Sequence, residues 1–135
     1  MARIVFVTQR RSGGQDPRTR ALESHGYKVT ELRNSQQCME TLANNPPNLL
    51  LLDVLIEGRN GFDVTRQVRA LYPSDQVPII LCSDVYRGRL FREEAMNAGA
   101  QRFLLTPIDM DELLKDVKTL THASVQSQEN EPRVA

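Results

Sequence analysis

Apolar residues are spaced in two rhythms along this chain, and the two alternate from end to end. Short continuous runs form the first: Ile4-Val5-Phe6-Val7 within Arg3–Thr8, four consecutive leucines within Asn48–Asp53, and Ile79-Ile80-Leu81 within Val77–Cys82. Unbroken apolarity over so few residues predicts strands covered on both faces, and these three are expected at the centre of a parallel sheet. Tyr27–Leu32 is mixed in polarity and Arg102–Leu105 is short and lies just before Pro107, so both are expected at sheet edges. The second rhythm is helical. Val64, Val68 and Leu71 recur at i, i+4 and i+7, as do Phe91, Ala95 and Ala98, and Leu113, Val117 and Leu120, with Leu114 widening the last stripe. Strands alternating with amphipathic helices predict βα units, an α/β fold with a parallel sheet.

Helix punctuation agrees with this division. Asp16-Pro17 reads as an N-cap followed by proline at the first helical position, and Gly26 closes that helix before Tyr27. Asp109 caps a final helix whose first turn carries Asp111 and Glu112 against the positive end of the helix dipole. Beyond about His122 the sequence is polar and aperiodic. The expected organisation is one domain over residues 1–121 followed by a disordered tail or linker start over 122–135.

Composition narrows the function classes. Of 135 residues, 17 are Lys or Arg and 17 are Asp or Glu, which argues against a dedicated nucleic-acid binder. No apolar run nears the ~18 residues that span a bilayer, and the apolar start is too short for a secretory signal, so no membrane partner and a cytoplasmic location are expected. Cys38 and Cys82, the two cysteines, lie far apart in apolar contexts, as reduced core thiols would.

In an open parallel sheet, reactive groups gather beyond the carboxyl ends of the strands, where the loops diverge. Here those ends bring together Thr8 and Gln9 after the first strand, Asp53 after the third, Ser83 after the fourth and Thr106 after the fifth. The loop after Gln9 adds Arg10, Arg11, Ser12, Gly13 and Gly14, and Asp16-Pro17 starts the first helix late.

Over roughly residues 3–121 the sequence resembles the receiver domain of bacterial two-component response regulators. Leu51-Leu52-Asp53-Val54 followed by Gly58, Gly61-Phe62 and Val64 is similar to the family's phosphoacceptor segment. Ser83 stands 30 positions after Asp53, where the family has a Ser or Thr that binds the phosphoryl group. Ala98-Gly99-Ala100 and Phe103-Leu104-Leu105-Thr106-Pro107-Ile108-Asp109 match the family's closing run, with one residue more than usual between Ser83 and Gly99. The resemblance implies a flavodoxin-like (βα)5 three-layer sandwich with strand order 2-1-3-4-5. It implies Asp53 as the phosphoacceptor position and Phe103 as the aromatic switch. Partners, a sensor kinase or a downstream effector, are implied on the helix 4–strand 5–helix 5 face, beside the arginines at 87, 89, 92 and 102.

The departures are as specific as the matches. Receivers usually end the first strand in two acids that hold Mg²⁺ with the acceptor aspartate, and here those positions are Thr8 and Gln9. The family's conserved lysine position is Thr106. A hard dication wants carboxylates, and phosphoryl transfer rests on positioning and charge neutralisation, so Mg²⁺ binding is disfavoured and no cofactor is expected. Arg10 or Arg11 is a candidate to pair with Asp53 in the space left by metal and lysine. The expectation is a non-enzymatic pseudo-receiver: a protein–protein switch in phosphorelay signalling that does not bind nucleic acid directly, with homodimerisation left open. Two alternatives stand beside it, a receiver still phosphorylated on Asp53, and a flavodoxin-like module holding an anionic ligand at the first loop.

Overall fold

The structure is a computed structural model that describes residues 2–9 and 15–129. Five strands, β1 (Arg3–Val7), β2 (Lys28–Leu32), β3 (Leu49–Asp53), β4 (Ile79–Ser83) and β5 (Arg102–Leu105), alternate with five helices. The helices are α1 (Pro17–Ser24), α2 (Ser35–Asn44), α3 (Gly61–Leu71), α4 (Arg89–Ala98) and α5 (Met110–Glu129). All strand pairs are parallel, in the order β2-β1-β3-β4-β5. The continuous apolar runs are the three inner strands and the mixed ones are the edges, because only the inner strands have both faces covered.

Strand pleating divides the core by parity. Val5, Val7, Leu50, Leu52, Ile79 and Leu81 face one way, against Cys38 and Leu42 of α2, Val64 and Val68 of α3, and Ala95 of α4. Ile4, Phe6, Leu49, Leu51, Ile80 and Cys82 face the other, against Leu22 of α1 and Leu113 and Val117 of α5. The result is the expected three-layer sandwich.

The helix starts are set by the residues that predicted them. The Asp16 side chain accepts from the Arg18 amide with Pro17 at the first position, and Asp109 accepts from the amides of Asp111 and Glu112. Gly61 opens α3 against the backbone of Asp53: a Cβ there would lie 2.7 Å from the Asp53 carbonyl oxygen and 2.9 Å from Val54 Cα. Only glycine admits so close an approach of helix to strand end.

Two sequence expectations are revised. Leu71 does not complete the buried stripe of α3 and is 65% exposed. The helix ends there, and Tyr72, in extended conformation, turns onto the core in its place and donates its hydroxyl to the Leu42 carbonyl at 3.2 Å. The last helix also continues over 122–129, into the segment expected as tail; no glycine or proline interrupts the chain before Pro132.

Candidate functional site

Register brings the carboxyl ends of the strands level. Val7 pairs with both Leu32 and Leu52, and Asp53 pairs with Cys82, so Thr8, Asp53 and Ser83 emerge on one rim. A cavity of about 660 Å³ opens there. Gln9, Asp53, Ser83 and Thr106 are among the residues that line it. Thr8 lies fully buried beneath.

A residue that the sequence reading did not single out occupies the centre. Arg18, on the first turn of α1, turns its side chain inward, and the guanidinium carbon lies 4.4 Å from the centroid of the Phe6 ring on β1. Its NH1 donates to Asp53 Oδ1 at 2.5 Å and its NH2 to Asp53 Oδ2 at 3.2 Å, a two-pronged grip on the carboxylate. From the other side Asp16 accepts from Arg18 Nε at 3.1 Å and from NH2 at 2.9 Å. NH2 also reaches Thr8 Oγ1 at 3.5 Å. Side-chain exposure is 9% for Arg18, 3% for Asp16 and 19% for Asp53, so this is an internal ion triad.

Burial acts against the charge on Arg18, but the hydrogen bonds to Asp16 and Asp53 and the negative charge of Asp53 outweigh it and hold its pKa above the ordinary arginine value. The guanidinium is therefore a permanent cation. Cys82, paired with Asp53 across the sheet, has its thiol pushed up to about 12 by burial, against the pull of the Arg18 charge. It is a neutral wall of the pocket, not a nucleophile.

The remaining predicted residues fall as follows. Ser83 is buried, and its hydroxyl oxygen accepts from the Tyr86 amide at 2.9 Å, so it folds the β4–α4 loop. The Thr106 hydroxyl donates to the Asp84 carboxylate, and the Thr106 amide donates to the Ser83 carbonyl at 3.0 Å. Phe103 points away from the cavity into the opposite core layer, stacked on Phe62 at a centroid distance of 6.4 Å. Arg10 and Arg11 lie outside the described residues, and the cation seen on Asp53 comes from α1. A signal for it existed: Arg18 shares a helix face with Leu22, and a cation on the buried face of a helix calls for an internal partner.

These residues do not fit a magnesium ion. The two positions after β1 offer a hydroxyl and an amide in place of carboxylates, and among the described residues no group of three or more His, Cys, Asp or Glu could hold a metal ion. A dication ~4 Å from the guanidinium would be repelled by about 8 kcal/mol at an effective dielectric of ~20.

Comparison with known proteins places this geometry in a family. The model of the response regulator receiver domain matches residues 16–118. The chain belongs to that family. It is 30% identical over 120 residues to the response regulator MprA of Mycobacterium sp. (strain KMS), a match covering 87% of this chain and 50% of that protein. The chain thus spans about half the length of the MprA regulators it matches. Protein PilH of Pseudomonas aeruginosa is 27% identical over 104 residues, covering 76% of this chain and 84% of PilH. A CheY-like receiver domain from Methanospirillum hungatei JF-1 superposes with a TM-score of 0.81 at 21% identity, over 94% of this chain and 98% of that one. As a receiver of two-component signalling, the chain is of a kind that generally signals by binding other proteins and not by catalysis; no helix among the described residues is long and apolar enough to cross a membrane.

Proposed function

We propose that this receiver is an atypical one, a protein–protein interaction module in two-component or phosphorelay signalling that works without Mg²⁺-dependent phosphorylation of Asp53. One observation carries the reading: both carboxylate oxygens of Asp53 accept from the buried guanidinium of Arg18, which leaves the acceptor position charge-neutralised and no longer open to a metal-bound phosphodonor. Thr8 and Gln9 at the usual acid positions and Thr106 at the usual lysine position support it. Regulation then proceeds by partner binding and population shift between packings.

The surface proposed for partners is the α4–β5–α5 face. Val85 and Leu90 stand exposed beside Arg87, Arg89 and Arg92, an apolar and basic corner suited to a protein with acidic and aliphatic side chains. Phe103, buried under this face against Phe62, fixes one packing of it. A cytoplasmic setting and a receiver that does not itself touch nucleic acid complete the proposal.

The test is incubation with Mg²⁺ and beryllofluoride, a mimic of the phosphoryl group. Amide NMR shifts around Asp53 and Ser83 are expected to stay where they are. Saturable shifts confined to that pocket would instead establish a receiver still phosphorylated on Asp53.

A further inference from the structure

Fourteen of the 17 cationic residues are arginines, and the three lysines are Lys28, Lys115 and Lys118. Two of the three line one cavity. It has a volume of about 460 Å³ and lies where the end of α1 and the turn into β2 meet α5, walled by His25, Tyr27, Leu114, Lys115 and Lys118. Lys28, the first residue of β2, pairs with Arg3 at the amino ends of the strands, whereas Asp53 stands at the carboxyl ends. This cavity shares no lining residue with the pocket around Arg18.

Its floor is apolar and its rim is cationic. Tyr27 and Leu114 are half-buried and pack against the apolar layer beneath α1 and α5. Lys115 and Lys118 are exposed, three residues apart on one face of α5, and among the described residues neither pairs with a carboxylate. Asp116, between them in sequence, is engaged by Arg102 at 3.2 Å, and no acid lines the cavity. His25 Nδ1 lies 3.0 Å from the Ala21 carbonyl oxygen, and because a carbonyl only accepts, Nδ1 is the donor. Nε2 is thereby left for a ligand.

Two ammoniums and an imidazole above an apolar floor select an anion attached to an apolar body. The use of lysine narrows the class. A rigid arginine fork suits the two oxygens of a planar carboxylate, whereas ammoniums on flexible stems act as point charges and can each take a different oxygen of a tetrahedral phosphate. A phosphate monoester carries about −1.5 to −2 at pH 7, the charge that two ammoniums offset. Tyr27 offers a ring on which a planar body can stack. We propose that this cavity is a second ligand site of the receiver, taking a small phosphate monoester with a planar ring body, the chemistry of a mononucleotide. Bound there, the ligand joins the turn after α1 to α5, the helix that also borders the proposed partner face. The site stands whether or not Asp53 is phosphorylated.

Adenosine monophosphate, titrated into the full chain and followed by amide NMR shifts, tests the site. Saturable shifts are expected at Gly26, Tyr27, Lys115 and Lys118, with those of Asp53 and Ser83 unmoved. Adenosine and inorganic phosphate, the two halves of the probe, are each expected to bind about tenfold more weakly or worse. Lys115→Gln combined with Lys118→Gln, at exposed positions where glutamine keeps helix propensity, is expected to weaken binding about tenfold or more while the thermal unfolding midpoint stays unchanged. Lys28→Gln removes a neighbouring charge outside the lining and is expected to bind as the native chain does. The proposal is overturned by an absence of saturable shifts, by shifts centred on Asp53 instead, by a loss in Lys28→Gln as large as in the double variant, or by inorganic phosphate binding as well as adenosine monophosphate.

Discussion

Two inward-turned arginines sit at opposite ends of the sheet, and they are held by different chemistry. At the carboxyl ends of the strands Arg18 binds carboxylates, which hold its pKa above the ordinary value. At the amino ends, below β4 and β5, Arg69 of α3 donates to the carbonyls of Gly99 at 2.8 Å, Tyr72 at 3.0 Å and Val77 at 3.0 Å, and to Gln101 Oε1 at 3.2 Å. None of these acceptors is charged, and burial lowers its pKa, with the more distant Asp75 opposing. A guanidinium bound by neutral carbonyls ties chain ends together and has no counter-charge to exchange. One bound by two carboxylates neutralises a charged pocket at the strand ends. The comparison separates a staple from a site, although both residues are arginines turned inward from a helix.

The comparison is most strongly tested at Arg69. Replacing it with alanine takes a donor from four acceptors at the junction of α3, α4, β4 and β5, and the expected loss is about 3 kcal/mol in urea denaturation, since the Tyr72 and Val77 carbonyls lose this donor together while the Gly99 carbonyl keeps Gln101 Nε2 and Gln101 Oε1 keeps the Ile79 amide. Lysine in its place is not expected to restore it, because one ammonium cannot span the fork that reaches Gly99, Tyr72 and Val77. Amide shifts around Asp53 should stay unchanged; movement there would join the two ends of the molecule into one network.

Next in size is Asp53→Asn, where the sign matters more than the magnitude. In a pocket of uncompensated carboxylates, neutralising one relieves repulsion and stabilises the fold. Here it removes half of the charge that holds a buried guanidinium, and destabilisation of ~2 kcal/mol is expected, with Asp16 still in place. A rise in the denaturation midpoint would show that Arg18 does not neutralise this pocket.

Why the partner of Arg18 was not legible in the sequence follows from how the signals arise. Leu49 to Leu52 and Ile79 to Leu81 announce inner strands because burial on both faces removes every polar residue from a run. Asp16-Pro17 and Asp109 announce helix starts because a cap acts within three residues. The rim residues Thr8, Asp53, Ser83 and Thr106 follow from the strand ends alone. For Arg18 the local signal, a face shared with Leu22, says that it turns inward but not to what: its acceptor Asp53 is 35 positions away, and only the parallel pairing of β1 with β3 brings α1 over that strand end. Arg10 and Arg11 adjoin Gln9 in sequence and lie outside the described residues, whereas Arg18 is turned inward by its position on the buried face of α1. Leu71 fails for a related reason, since periodicity gives the face of α3 but not where the helix passes the end of the sheet.

The two thiols extend the comparison to pH. Cys38 and Cys82 are both pushed by burial from 9.0 up to about 12, and of the two Cys82 has charged neighbours, Arg18 pulling it down and Asp53 and Asp16 pushing it up. A thiol whose folded pKa is raised keeps its proton while the unfolded chain loses its own. Stability is therefore unaffected below about pH 9 and falls as pH rises towards 12. By one pH unit above the ordinary value each thiol is expected to remove ~1.4 kcal/mol, and Cys38→Ala should remove its share of the slope between pH 8 and pH 10. Equal slopes in the two proteins would mean that Cys38 is solvated. Iodoacetamide at neutral pH should leave both thiols unmodified in the folded protein, because neither forms thiolate there.

The smallest effect calibrates the largest claim. Arg89 and Glu93 on α4 form an arginine–carboxylate pair at 3.5 Å, one turn apart, with side-chain exposures of 85% and 56%. Arg18 and Asp53 make the same chemical pair in the interior at 2.5 Å. In a double-mutant cycle the surface pair is expected to couple by ~0.3–0.5 kcal/mol, because water screens it and two long side chains must be ordered to form it. That coupling should vanish in ~1 M salt, where the screening length is only ~3 Å. The Arg18–Asp53 coupling should exceed ~1.5 kcal/mol and barely change with salt, since the guanidinium is already immobilised over Phe6 and fixed from behind by Asp16. If both cycles respond alike to salt, then water and ions reach Asp53 freely and Arg18 is an ordinary surface cation that happens to lie near it. If they differ as expected, the pocket owes its fixed charge to an ion pair that the solvent does not compete for.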